Sequence, residues 1–351
     1  MTLDLTGDRA DLLQALVDIE SESGHEGPLA DAVAAGLSGS RHLELIRDGD
    51  AVIARTHLGR DRRIVIAGHL DTVPVADNLP SRRVDGLIYG RGSADMKGGV
   101  AVALSAAVAL AEPQHDLTWI FYDHEEVEAS KNGLGRVARN RPELLAGDFA
   151  VLMEPTGGMV EGGCQGTLRF TVTVGGVAAH SARSWLGKNA IHQIAPVLTL
   201  VADYQPRTVL VEGLEYREGL NAVAIAGGIA SNVIPDACQV TINFRFAPDR
   251  SLESATEYCR ALFSGYELQV TDGASAALPG LDRPEAAAFV AAAGGAVRAK
   301  YGWTDVARFA ELGIPAVNYG PADPGQAHSD DECCPVADLE ICYETLVRWL
   351  Y

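Results

Sequence analysis

Ile64-Val65-Ile66-Ala67-Gly68-His69-Leu70-Asp71-Thr72-Val73-Pro74 decides how the rest of this chain is read. Four consecutive Ile, Val and Ala side chains fit a strand buried on both faces, as in a parallel sheet. The run ends on glycine, and His69 and Asp71 follow with one spacer between them. Both therefore fall at the carboxyl end of the strand, where open α/β sheets bind their ligands. A neutral imidazole binds a divalent metal directly, and a nearby carboxylate binds beside it or orients the ring. A histidine after a strand also serves packing or hydrogen bonding, so the metal reading depends on whether the pattern recurs.

It recurs along the chain. Leu117-Thr118-Trp119-Ile120-Phe121-Tyr122 is a second apolar strand, and Asp123-His124-Glu125-Glu126 follows it. Crowded carboxylates after so apolar a strand are costly unless a cation neutralises them. The competing reading is a solvated acidic loop. Of Glu125 and Glu126, one can bind metal while the other serves as a base. Phe149-Ala150-Val151-Leu152-Met153 runs into Glu154-Pro155-Thr156, and Ala316-Val317-Asn318-Tyr319 precedes a loop with His328-Ser329-Asp330-Asp331-Glu332. Tyr89-Gly90-Arg91-Gly92-Ser93-Ala94-Asp95-Met96-Lys97-Gly98-Gly99 leads into a helix expected over 100–111. Its glycine spacing is that of no phosphate-binding loop. Asp95 either caps that helix or faces the sheet's carboxyl edge. His69, Asp95, Glu125, Glu126, Glu154 and His328 thus gather without a cysteine, a donor set suited to two zinc ions bridged by a carboxylate.

A chain of 351 residues suits two domains. Helices are expected over 11–19 and 28–35, and strands over 43–46 and 51–55. Past residue 165 the texture changes. Residues 167–174 alternate as a half-buried antiparallel strand does. A helix over 190–204, strands over 222–229 and 239–246, a helix over 252–263 and a strand over 267–270 follow. This strand-helix-strand-strand-helix-strand order is that of an α+β, ferredoxin-like unit. The expected fold class is therefore α/β: a catalytic domain with a mixed, mostly parallel sheet, formed by 1–165 and 281–351, with a smaller domain inserted at 166–280. Helices over 284–301 and 336–350 complete the first domain.

The formal net charge of −19 argues against nucleic acid and anionic membranes as partners. No apolar run reaches the length of a membrane-spanning helix. Met1-Thr2-Leu3-Asp4-Leu5 has neither a basic segment nor an apolar one, so a cytoplasmic setting is the expectation. Cys164, Cys238, Cys259, Cys333, Cys334 and Cys342 show no CxxC spacing, which speaks against a cysteine zinc site and for reduced thiols.

The motifs Gly68-His69-Leu70-Asp71-Thr72-Val73-Pro74, Gly90-Arg91-Gly92-Ser93-Ala94-Asp95-Met96-Lys97-Gly98-Gly99, Glu125-Glu126, Glu154-Pro155-Thr156 and His328-Ser329 resemble, in order, those of the dinuclear-zinc amidohydrolases of the M20 metallopeptidase family. The resemblance covers nearly the whole chain. It implies that His69 and Glu154 bind one zinc and Glu126 and His328 the other, with Asp95 between them; cobalt or manganese could take their place. It implies that Asp71 holds His69, that Glu125 is the general base, and that the Asp95–Met96 peptide is cis. It implies a homodimer in which the inserted domain is a dimerisation and lid domain, and His180 reaches the partner's site as an oxyanion donor. The implied substrate is a small N-acyl amino acid. Asn232-Val233-Ile234-Pro235 and Asn243-Phe244-Arg245-Phe246 resemble the branch acting on N-succinyl diamino acids, which makes Asn232 and Arg245 substrate contacts. Thr304, supported by Arg308, is a further contact to a substrate carboxylate. Where that branch has arginine ahead of Gly-Ser or Gly-Thr, this chain has Cys164-Gln165-Gly166-Thr167. Thr167 keeps a donor there, and Arg183 is the compensating cation. Other deacylases and dipeptidases share the same metal chemistry. A non-catalytic use of the fold would show a lost ligand or a lost Glu125, and none is lost.

Overall fold

The computed structural model describes residues 3–351. The chain forms two compact units: one holds the residues up to Gly163 with Pro279–Lys300 and Thr304–Tyr351, the other Cys164–Leu278 with Tyr301–Trp303. No helix among the described residues is long and apolar enough to cross a membrane.

The first unit is built on an eight-stranded sheet. Its order is Glu44–Asp48, Ala51–Arg55, Asp116–Tyr122, Arg63–His69, Phe149–Leu152, Ala316–Asn318, Val160–Gly162 and Val297–Ala299. The central strands run parallel, so their polar sequels emerge at one edge. Antiparallel pairs lie at the Glu44–Arg55 hairpin, where Ala51–Arg55 meets Asp116–Tyr122, and where Ala316–Asn318 meets Val160–Gly162. Asp116–Tyr122 is buried along its whole length, as its unbroken apolar run requires. The helix Gly98–Ala109 carries almost nothing but Ala, Val and Leu and is nearly all buried, sharing one core with Leu13, Leu16, Trp119, Phe149, Leu339 and Leu346. Truncating a fully buried side chain such as Trp119 to alanine costs about 3–5 kcal/mol. Gly99 makes the helix's approach possible: a Cβ there would stand 1.9 Å from the Met153 carbonyl oxygen.

One expectation fails in this unit. The helix expected over 284–301 ends at Ala292. Gly294 and Gly295 follow with φ of +92° and +82°, a backbone that stops a helix, and Val297–Ala299 becomes an edge strand parallel to Val160–Gly162.

The second unit is a four-stranded antiparallel sheet in the order Gly219–Gly227, Ala237–Phe246, Gly166–Gly175 and Glu267–Ala274. The strict alternation of Leu168, Phe170 and Val172 against Val240, Ile242, Phe244 and Phe246 buries one face. It packs on Ala190, Ile194 and Val197 and on Ala255, Cys259 and Phe263 of the helical segments. The helical stretch expected over 190–204 is two helices, Ala190–Gln193 and Ala195–Ala202, with Pro196 in the first turn of the second. A hairpin of Thr208–Val211 and Leu214–Arg217 precedes the edge strand, turning at Glu212 and Gly213, both in the left-handed region.

Candidate metal centre

The site begins where the strand Arg63–His69 ends. The Nδ1 of His69 lies 2.9 Å from the main-chain carbonyl of Asp71 and 3.6 Å from its carboxylate. That leaves Nε2 to face Asp95, 3.1 Å from Oδ1. The buried Asp71 carboxylate does more than border the ring. Its Oδ1 accepts the Glu125 amide at 2.9 Å, and its Oδ2 accepts the Glu126 amide at 3.0 Å and the Ser23 hydroxyl at 2.6 Å. One carboxylate thus ties the end of the first strand to the loop after Asp116–Tyr122.

Asp95 follows a glycine-rich turn and is not helical, with φ −118° and ψ 96°; its peptide to Met96 is cis. Gly92 sits at φ +81°, and a Cβ on it would stand 2.6 Å from Thr72 Cγ2, so the turn can pass this close to the first motif only with glycine. Opposite, His328 Nε2 lies 3.0 Å from Glu126 Oε1 and 3.6 Å from Asp95 Oδ2. His328 itself has φ +65°, a conformation a non-glycine residue keeps only when its surroundings hold it. Ligand atoms of His69, Asp95 and Glu126 all lie within 4.8 Å of one another. Glu154, next but one after the strand Phe149–Leu152, is 4% exposed, and its Oε1 has no hydrogen-bond partner. A buried carboxylate oxygen with no hydrogen-bond partner beside such a cluster suits a cation ligand, since burial without a partner is costly. Imidazole nitrogens and carboxylate oxygens are zinc donors, and the residues present fit the metal.

The electrostatics agree. Burial pushes the Glu125 carboxyl well above the usual carboxylate range, and Glu126 and Glu154 push the same way against the pull of His69. Burial, with Asp95 behind it, raises Glu154 to about 7. Burial also raises Glu126. His69 is raised well above an ordinary imidazole: burial opposes its charge, but the hydrogen bond to Asp95 and the charges of Asp71 and Glu125 outweigh it. The hydrogen bond to Glu126 raises His328. Asp95 is lowered, against its burial, by His69 and His328. Crowded carboxylates held this way favour any cation that can replace their protons.

The remaining residues singled out from sequence fall in two places. In the first unit, Thr304 is buried and its hydroxyl donates to Asn318 Oδ1 at 2.8 Å, while Arg308 Nε donates to Asp305 at 2.5 Å. In the second unit, Thr167 and Arg245 are directly opposed on neighbouring strands, and Asn243 Nδ2 donates to the Thr167 hydroxyl at 3.0 Å. All three lie on the sheet face away from the helices. His180 is exposed; its Nδ1 accepts the Ala182 amide at 3.1 Å and so caps the turn Ser181–Leu186, which carries the exposed Arg183. The main-chain carbonyl of Asn232 accepts the Ser181 amide at 2.9 Å, which brings Asn232 beside His180. Gln165 is buried and donates to the Arg217 carbonyl at 2.7 Å, and Cys164 pairs with Ala277, so both are committed to the frame of this unit.

Sequence reasoning passed over three residues that shape the centre. Ser23 braces Asp71. Lys300 is buried with its Nζ 3.0 Å from Glu161 Oε2; burial lowers it, but Glu154 and Glu161 leave it raised and charged beside the carboxylates. Glu332 is 1% exposed and grips the turn that carries Asp95. Its one sequence signal is its place four residues after His328.

Residues 65–351 match the profile of Peptidase family M20/M25/M40. The chain is 56% identical over 351 residues, 99% of each chain, to a protein of Mycobacterium tuberculosis (strain ATCC 25618 / H37Rv) that carries the name succinyl-diaminopimelate desuccinylase DapE provisionally. It is 49% identical over 359 residues, 99% of this chain and 97% of the other, to the succinyl-diaminopimelate desuccinylase of Corynebacterium glutamicum. Among solved structures, the M20 family metallo-carboxypeptidase Sso-CP2 of Sulfolobus solfataricus superposes with a TM-score of 0.78 at 16% identity over 98% of both chains, a likeness of fold.

Proposed function

The chain belongs to peptidase family M20/M25/M40, whose members are metal-dependent hydrolases, and we infer that it cleaves N-succinyl-LL-2,6-diaminopimelate to succinate and LL-2,6-diaminopimelate. The observation that carries the substrate is full-length identity of 56% and 49% to two proteins named for this reaction. The clustering of His69, Asp95 and Glu126, with the unpartnered Glu154 oxygen nearby, supports the metal dependence.

His69 and Glu154 would hold one divalent ion, Glu126 and His328 a second, and Asp95 both; zinc suits the donors, with cobalt or manganese able to substitute. When bound, the ions supply Lewis-acid charge and lower the pKa of the attacking water. Glu125 takes the proton from that water as its oxygen bonds to the amide carbon. It returns the proton to the leaving amine nitrogen as the C–N bond breaks. A carboxyl held well above the ordinary carboxylate range is suited to both transfers. Asp71 fixes Glu125 and Glu126 through their amides, so that the base and its neighbouring ligand keep one geometry. The oxyanion forming on the amide carbon needs a further donor, which the partner subunit's His180 would supply.

The substrate is an anion with several carboxylates, and the proposed contacts to them are Arg245, Arg183, Asn232 and Thr167. Thr304, supported by Arg308, is the further proposed contact to a substrate carboxylate; its hydroxyl meets Asn318 Oδ1 at 2.8 Å in this structure. The homodimer in this reading is supported by the second unit's edge strand Gly219–Gly227, where Val223 and Ile225 are 57% and 54% exposed. An unpaired apolar edge of this kind pairs with another chain.

The test is release of primary amine from N-succinyl-LL-diaminopimelate and from N-acetylornithine by zinc-loaded protein, with Glu125→Gln as control and mass measured in solution. Turnover of the succinyl substrate alone, by a dimer, abolished in the control, is the expected result. Turnover of acetylornithine alone would move the enzyme to another branch of the family, and an active monomer would remove His180 from the mechanism.

A further inference from the structure

Glu332 is nearly inaccessible, and its carboxylate is enclosed by donors from one short turn. Its Oε1 accepts the amides of Ala94 and Asp95, each at 3.0 Å. Its Oε2 accepts the Gly92 amide at 3.0 Å and Arg91 Nη1 at 2.9 Å. Its main-chain carbonyl accepts the Gly90 amide at 3.0 Å and the Ser93 hydroxyl at 3.2 Å. One residue therefore satisfies nearly every free donor between Gly90 and Asp95. Arg91 extends the clamp: its Nε donates to the Pro74 carbonyl at 3.0 Å and its Nη1 also to the Ser329 carbonyl at 3.1 Å.

The consequence is geometric. Asp95 and His328 come from loops more than two hundred residues apart in sequence, yet the residue that follows His328 by four holds the amide of Asp95 itself. The turn has no regular secondary structure to fix it, since Asp95 and Met96 are both non-helical. A carboxylate on a row of backbone amides is a strong, directional anchor because each bond is charge-assisted.

We propose that Glu332 is a positioning residue of the metal centre: its carboxylate sets where the Asp95 carboxylate stands relative to His328, and so tunes the affinity of the site for its ions. Glu332 touches neither metal nor substrate. It acts through the backbone of the 91–95 turn. The inference rests on the metal-site reading above, and the experiment separates the two.

Glu332→Gln keeps shape and volume, but its amide nitrogen must face N–H donors whichever way it turns, so two accepted bonds are lost and two donors are opposed. Zinc titration of metal-free protein by calorimetry, beside a thermal melt of the same metal-free protein, reads the effect. The expected result is wild-type binding of two zinc ions, with affinity weakened about 10–100-fold in Glu332→Gln, the range for outer partners of a metal ligand. Asp116→Asn is the control, because Asp116 also sits on backbone amides but in no contact with the centre. It should lower the melting point and leave zinc affinity unchanged. Glu332→Gln with wild-type zinc affinity and a lowered melting point would overturn the proposal in favour of a merely structural role. Should Glu332→Gln not fold, Arg91→Met removes one donor to Oε2 and must weaken zinc binding in the same direction; unchanged affinity there overturns the proposal equally. A wild-type protein that binds no zinc would overturn the metal reading itself, and Glu332's role with it.

Discussion

The strands Arg63–His69 and Asp116–Tyr122 lie side by side in register, and their two ends treat carboxylates in opposite ways. At the amino end, Asp116 is 5% exposed, yet its oxygens accept the Thr56 hydroxyl at 2.8 Å, the Leu58 amide at 2.8 Å and the Arg60 amide at 3.0 Å, with Arg63 at 3.8 Å. Burial works against its charge, and the hydrogen bonds prevail: its pKa is lowered. Asp148 closes the same end by accepting the Arg63 amide at 2.8 Å. At the carboxyl end, Glu125, Glu126 and Glu154 are raised, and Glu154 Oε1 has no partner. Burial is common to both ends, but the donors are spent differently. The amino end completes Asp116 with the chain's own amides; at the carboxyl end the amides go to Asp71, and Glu125, Glu126 and Glu154 are left for a cation and a proton.

The comparison can be broken in several places. Glu125→Gln should have the largest effect, lowering amide hydrolysis by about 10²–10⁴-fold while zinc content stays intact. Loss of zinc in that variant would make Glu125 a ligand instead of the base. Asp71→Asn comes next. Its single amide nitrogen must oppose either the Glu125 or the Glu126 N–H, which are accepted by different oxygens, and the change should weaken zinc binding by about 10–100-fold in a calorimetric titration. At the other end, Asp116→Asn should cost about 1–3 kcal/mol in urea unfolding, with kcat and zinc affinity at wild-type values. Altered zinc affinity there would show that the two ends are not independent. The smallest effect is in pH. The folded-state pKa of Asp116 lies below 3.8, so its contribution is fully present above the unfolded carboxylate range and is lost as pH falls through the lowered value. The gap in urea midpoint between wild type and Asp116→Asn should therefore be widest at neutral pH and close as the pH drops below about 3.8. A gap that widens in acid would contradict the assignment.

The contrast also explains what could be read from the chain alone. His69, Glu125, Glu126 and Glu154 were legible because each follows an apolar run that only a buried strand explains, so the first polar residues afterwards must lie at one edge. Asp95 was legible from its glycines. Glu332 was not, because its partners are backbone amides far away in sequence, and amides carry no residue identity. The same holds for Lys300 and Ser23, whose roles appear only when distant loops meet. In the fold, the helix expected over 284–301 failed on a signal that was present: Gly294-Gly295 interrupts a run rich in alanine, and the edge strand Val297–Ala299 lies beyond it. The Thr208–Arg217 hairpin was overlooked although Glu212-Gly213 is a two-residue turn between alternating strands. The proposed substrate contacts are the least legible part, since Thr167 and Arg245 stand on the outward face of alternating strands and Asn232 in a turn, where hydrophobic patterning places a residue but says nothing of its partner.

The most direct test is to find where metal binds. Crystals of the protein soaked in zinc and measured at the zinc absorption edge should show two anomalous peaks flanking the Asp95 carboxylate, one against His69 and Glu154 and the other against Glu126 and His328. No peak in this cluster, or zinc held elsewhere on the chain while hydrolysis proceeds, would contradict the account.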